Sequence, residues 1–93
     1  MKVTVTSKHL DEADEDTAAY NSVCLAISEA AGQEVRGSYG HPDGSRSVFF
    51  SMQGPSYLLP KEAVEFEEAC GDWYEGDRDV SKEVPFTFEL AYP

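Results

Sequence analysis

Residues 2–6, KVTVT, alternate strictly, with Val3 and Val5 on one face and Lys2, Thr4 and Thr6 on the other. That is the two-residue period of a half-buried strand. The run LDEADED at 10–16 is too polar for a core segment and leads into a helix. Asp16 or Thr17 is placed to cap it by accepting from its open N–H groups, where acids also meet the positive end of the helix dipole. From Thr17 to Ala31 the apolar positions Tyr20, Val23, Cys24, Ile27 and Ala31 recur at i, i+3, i+4, i+7 and i+11. This spacing predicts one buried helical stripe, ended by Gly32 in the left-handed position.

Two strands follow, EVRGSYG (34–40) and SRSVFFSMQ (45–53), separated by HPDGS, whose Pro, Asp and Gly suit a tight reversal and so predict a hairpin. In the second strand Val48, Phe50 and Met52 share a face and Phe49 points the other way. A short extended SYLL runs into Pro60, which fits the start of a helix because its missing N–H is not needed there. Along that helix Ala63, Phe66, Cys70, Trp73 and Tyr74 fall on an inward stripe, while Glu65, Glu68, Asp72 and Glu75 fall on the opposite side. Gly71 marks a break or the end of this helix on propensity grounds. In VPFTFELAY (84–92), Phe86, Phe88, Leu90 and Tyr92 alternate with Thr87, Glu89 and Ala91, which predicts a last strand with Pro85 near its start.

The expected order is therefore βαββαβ in an α+β fold, an antiparallel sheet with two helices on one face, ferredoxin-like or a related two-layer sandwich. The 93 residues fit a single domain over 1–93, burying roughly 60 to 65 per cent of the unfolded surface. Hydrophobic residues at 41% and aromatics at 12% are enough for a packed core and too many for a disordered acidic tail.

Charge changes the picture most. Eighteen acids against seven bases give a net charge of −11, which argues against direct nucleic-acid or anionic-membrane binding, since both require Lys and Arg to displace counterions. A basic partner is the converse. Cys24 and Cys70 are far apart, not in a C-x-x-C pair, and fall on inward helix stripes, so free buried thiols in a reducing compartment are expected. The segment MKVTVTSKHL has no apolar signal core and no stretch approaches a membrane span, so a cytoplasmic setting in the host cell is expected.

Candidate chemistry is sparse. His9, at a strand end, and His41, in the hairpin turn, are expected to be solvated histidines without a partnered nucleophile. A calcium loop started at Asp14 would have Ala19 sixth and Leu25 twelfth; one started at Asp11 would have Asp16 and Ser22. Neither supplies the required Gly and Glu. GSYGHPDG lacks the Lys and the strand-to-helix context of a phosphate loop, and paired carboxylates for glycoside chemistry need an apolar cleft that so small a domain scarcely offers. No catalytic residue, metal site or cofactor is expected.

What remains is the acid pattern. Glu65, Glu68, Asp72 and Glu75 lie along one helix face at axial intervals of about 4.5, 6 and 4.5 Å, comparable with phosphates spaced about 3.4 Å along a duplex axis. Asp77, Asp79 and Glu83 extend the row, and Asp11, Glu12, Asp14, Glu15 and Asp16 form a second cluster. If both helices pack on one sheet face, the two clusters make one anionic surface. Between Glu62 and Glu83 only Arg78 and Lys82 offset the acids, with Lys61 just before them. Like charges three and four apart destabilise a helix, and solubility alone would be served by mixed signs. The ordinary alternative is a solvated helix face.

MKVTVTSKHL, NSVCLAISEAAG, LLPKEAVEFEEACGDWYEG and VPFTFEL resemble a group of small acidic phage and mobile-element proteins, which carry Cys-Pro where this chain has Asn21-Ser22. Small acidic phage proteins include anti-CRISPR inhibitors that mimic DNA. The resemblance implies a non-enzymatic inhibitor whose acids stand in for phosphates against the Lys and Arg of a CRISPR-Cas effector subunit, displacing target DNA. The alternative is an antitoxin-like or assembly module that binds one basic protein.

Overall fold

The computed structural model describes residues 1–14, 17, 21–76 and 79–92, without the side chain of Tyr74. The first strand, β1 (Lys2–Val5), buries Val3 and Val5 as the alternation predicts, and pairs antiparallel with the C-terminal strand β5 (Phe86–Glu89), Val3 facing Phe88. The terminal amine continues the pairing by donating to the Leu90 carbonyl at 2.7 Å. On the outer side the hydroxyls of Thr4 and Thr87 meet at 3.0 Å.

A short helix, α1 (Ser7–Glu12), follows directly, where a polar lead-in was expected. The reason is local. The Thr6 N–H donates to Nδ1 of His9 at 3.0 Å, so His9 closes the first turn in the place a Glu or Gln takes in the usual capping box. His9 is buried, which corrects the view of it as solvated; of the described residues in the run at 10–16 only Leu10 enters the core, and Asp11, Glu12 and Asp14 are exposed. With Nδ1 accepting, Nε2 carries the proton and donates to the Glu29 carboxylate at 3.1 Å.

The next helix, α2 (Ser22–Ala31), starts five residues later than expected because Asn21 is its cap, its Oδ1 accepting the Cys24 N–H at 2.8 Å. A cap at Asp16 lies outside the described residues. Val23, Cys24 and Ile27 are wholly buried, and Gly32 ends the helix at φ 67°, as the sequence predicts.

The hairpin forms as β2 (Gly37–Gly40) and β3 (Arg46–Phe49), closed by the His41 N–H donating to the Ser45 carbonyl at 2.8 Å. Residues expected to be merely extended make a third strand, β4 (Ser56–Leu58), on the other side of β3. Because β3 stops at Phe49 and a turn follows, Met52 leaves the strand face and stands exposed.

The long helix, α3 (Lys61–Tyr74), begins just after Pro60 and runs straight through Gly71. A Cβ added there would meet nothing within 4 Å. Gly71→Ala is therefore expected to stabilise the protein by about 0.5–1 kcal/mol, the helix-propensity difference, read as a rise in the urea midpoint at unchanged slope.

The architecture is thus α+β with antiparallel sheets and three helices. The expected βαββαβ order is corrected to βααβββαβ, and the single sheet to two: β1–β5, and β2–β3–β4. Helix α2 packs on β1 and touches both α1 and α3. Cys24 and Cys70 are buried and form no disulfide. No helix among the described residues is long and apolar enough to cross a membrane.

Candidate functional site

Ala63, Phe66 and Cys70 are buried and Trp73 packs half-buried against the core, so α3 is fixed by one stripe and must turn the opposite one outward. Glu65, Glu68, Asp72 and Glu75 are all exposed along it. Lys61 approaches Glu65 at 3.9 Å, an exposed pair that neutralises little. No cation among the described residues pairs with Glu68, Asp72 or Glu75. The acids of the row therefore face solvent with their charge largely intact.

The second cluster is placed differently. Asp11 and Glu12 are exposed on the last turn of α1, with Asp14 exposed just beyond it. Helix α2 contacts both α1 and α3, and its outward Glu29 is bonded to Lys8 at 3.4 Å as well as to His9. The His9 bond first, then the Lys8 charge, holds the Glu29 carboxyl below its usual range. Asp79 is exposed and accepts from the Ser81 N–H at 2.9 Å and the Ser81 hydroxyl at 2.5 Å, bonds that lower its pKa. Glu15, Asp16 and Asp77 lie outside the described residues.

One acid behaves unlike the rest. Glu67 turns inward, its side chain only 10% exposed. One oxygen accepts from Asn21 Nδ2 at 2.6 Å, and the other lies 3.5 Å from Arg46 Nε. Neither Arg46 Nε nor that second oxygen has a hydrogen bond, so charge, not a directional bond, joins them. Arg46 also donates to the Ser38 hydroxyl at 3.1 Å. Burial pushes the Glu67 carboxyl up, Arg46 and Asn21 oppose the rise, and neighbouring Glu68 adds to it. Sequence reasoning passed over Glu67, yet the signal was present: it stands three or four residues from Ala63, Val64 and Cys70, inside the buried stripe.

This pair walls a groove of about 800 Å³ between α3 and the β2–β3 turn, with Asn21, Ser22, His41, Glu68 and Glu75 also on its sides. Of the two thiols Cys70, not Cys24, lines this groove, where it is buried and meets the Ser22 hydroxyl at 3.3 Å. Burial, helped by Glu67, pushes the Cys24 thiol up to about 12, so it stays protonated and is no nucleophile at neutral pH. His41 Nε2 meets the Ser47 hydroxyl at 2.8 Å, but Ser47 is buried and presents no oxygen to a substrate. His41 is thus half-buried and bonded, not freely solvated as expected.

Against protein-family models, curated proteins and solved structures, the chain has no match. The reading of its function therefore rests on its own residues.

Proposed function

We propose that the protein is a non-catalytic inhibitor of the anti-CRISPR type, presenting its carboxylates as a DNA-like surface to the Lys and Arg residues with which a CRISPR-Cas effector subunit holds target DNA. The observation that carries this reading is the exposed row Glu65, Glu68, Asp72 and Glu75 on a helix whose other side is anchored in the core. A fixed row of charges meets a basic surface without an ordering cost, whereas carboxylates on a mobile tail would have to be ordered on binding. Asp11, Glu12, Asp14 and Asp79 add exposed negative charge from other elements, which strengthens long-range attraction and speeds encounter at low salt.

The test is competition. Purified effector, labelled target DNA and this protein are mixed at several salt concentrations. Inhibition of DNA binding is expected, weakening as salt rises, and the triple reversal Glu65→Lys, Glu68→Lys, Asp72→Lys is expected to weaken it at least about tenfold. These side chains are exposed, so the fold should survive, as circular dichroism would verify. DNA binding left untouched in effectors of several types would defeat the anti-CRISPR reading. Recovery from host extract of one stoichiometric basic protein unconnected with DNA interference would favour the antitoxin-like alternative instead.

A further inference from the structure

A glycine inside a helix costs stability relative to alanine, and Gly71 lies within α3 without serving to end it. The left-handed glycine that follows the helix is Gly76, at φ 85°. Packing does not account for Gly71 either: among the described residues no atom lies within 4 Å of where its Cβ would stand. The room it leaves open belongs to the groove between α3 and the β2–β3 turn, which Gly71 lines together with Gly40 and Gly44. A missing Cβ at such a place lets another group come close to the helix backbone.

Carboxylates border that opening. Glu67 and Glu68 stand about one helical turn before Gly71 and Glu75 about one turn after it, and all three line the groove. Against them the lining offers one guanidinium, Arg46, which Glu67 and the Ser38 hydroxyl already engage. Glu68 and Glu75 pair with no cation among the described residues and also belong to the exposed row on α3. Glu67 adds a different feature: its side chain is only 10% exposed, yet one of its oxygens has no hydrogen bond. On the facing wall His41 is occupied by Ser47. The groove therefore combines surplus negative charge, a buried acceptor without a donor and bare backbone between the acids.

We propose that this groove receives an arginine side chain of the partner, laid over the backbone at Gly71 with its guanidinium between Glu68 and Glu75. The proposal rests on the reading of a basic partner given above and adds to it one seat of defined shape. A groove of about 800 Å³ has ample room for a single side chain. Arginine suits it better than lysine. A planar guanidinium lies flat against a helix surface that lacks a Cβ and offers five N–H donors in a fixed fork, enough to face the outer carboxylates and supply the donor that Glu67 lacks. The ammonium of lysine is compact, strongly hydrated and without a plane. The exposed row thus attracts a basic surface from a distance, and the groove selects which side chain is held.

The probe is a short blocked peptide with one arginine between glycines, titrated into the isotope-labelled protein while its amide resonances are followed by NMR. Gly40, Gly44 and Gly71 report from the groove itself. Saturable shifts at all three are expected at about millimolar peptide, with a lysine peptide at least about threefold weaker and the uncharged, isosteric citrulline peptide without effect. Gly71→Leu is the deciding variant. It fills the opening, changes no charge and puts a good helix former where a Cβ has room, so the fold should stand while binding falls at least about tenfold. A Gly71→Leu protein that binds the arginine peptide as the wild type does would overturn the proposal. So would shifts confined to Glu65 and Asp72, outside the groove, or no shifts at all. The two readings fail separately. Effector competition that is lost on the triple charge reversal but untouched by Gly71→Leu would keep the acidic row and remove the groove. Saturable arginine binding that Gly71→Leu abolishes, with no effector inhibited, would keep the groove and remove the anti-CRISPR role.

Discussion

Phe66→Ala is expected to lower the stability of the protein by about 3–5 kcal/mol, the range for deleting a buried phenylalanine. Phe66 is buried and stacks on Phe86 with ring centres 4.5 Å apart and planes within 5° of parallel. Phe86 belongs to β5, which pairs with β1, so this ring contact ties the acid-bearing helix to the sheet that joins the two ends of the chain. A 93-residue domain has a total stability of roughly 5–14 kcal/mol, and the loss is a large share of it. Urea unfolding followed by circular dichroism would measure it as a lower midpoint. The same variant should weaken partner binding although no acid has been touched, because the carboxylate row is held rigid by the stripe beneath it. A stability loss under about 1 kcal/mol, typical of a surface change, would show that the ring is not packed as described.

Much of this anchoring was legible in the sequence. Ala63, Phe66 and Cys70 are spaced for one side of a helix and Glu65, Glu68, Asp72 and Glu75 for the other, and all seven fall where that period puts them. The strand face of Phe86, Phe88, Leu90 and Tyr92 was equally plain, because alternation with Thr87, Glu89 and Ala91 leaves one reading. The misses have physical causes. Helix α1 depends on a side chain, His9, substituting for the usual acidic or amide partner in a cap, and no hydrophobic period runs long enough in six residues to announce it. The split into two sheets depends on which strands pair. Local alternation sets the faces of Val3 and Val48 but not their neighbours, so β1 finding β5 while β3 takes both β2 and β4 is a tertiary outcome. Glu67 was missed because a charge reads as a surface residue, although its spacing placed it inward.

Arg46→Ala tests the inward acid and carries the second large effect. With the guanidinium gone, Glu67 keeps its Asn21 bond but is left as a buried carboxylate without a counter-charge. Breaking a fully buried pair costs about 3–5 kcal/mol; because the Arg46 side chain is 35% exposed and water screens part of the pair, about 2–3 kcal/mol is expected at neutral pH. The pH dependence gives the cause away. Burial already raises the Glu67 pKa and Arg46 opposes the rise, so the substitution raises it further. A carboxyl whose folded pKa lies above its unfolded value of about 4.3 contributes stability that is fully present below that value and lost as pH rises through the folded pKa. The gap between wild type and Arg46→Ala should therefore be widest at neutral pH and narrow toward pH about 4, where both states protonate. Glu29, Asp43 and Asp79 have lowered values and contribute with the opposite sign, lost as pH falls, in wild type and variant alike, so the difference between the two curves isolates Glu67. Adding Glu67→Gln to Arg46→Ala should recover part of the loss at pH 7, since the amide oxygen still accepts from Asn21 and no charge is left buried. An Arg46→Ala deficit that is flat with pH, and unrelieved by Glu67→Gln, would instead assign the role of Arg46 to packing and its Ser38 bond.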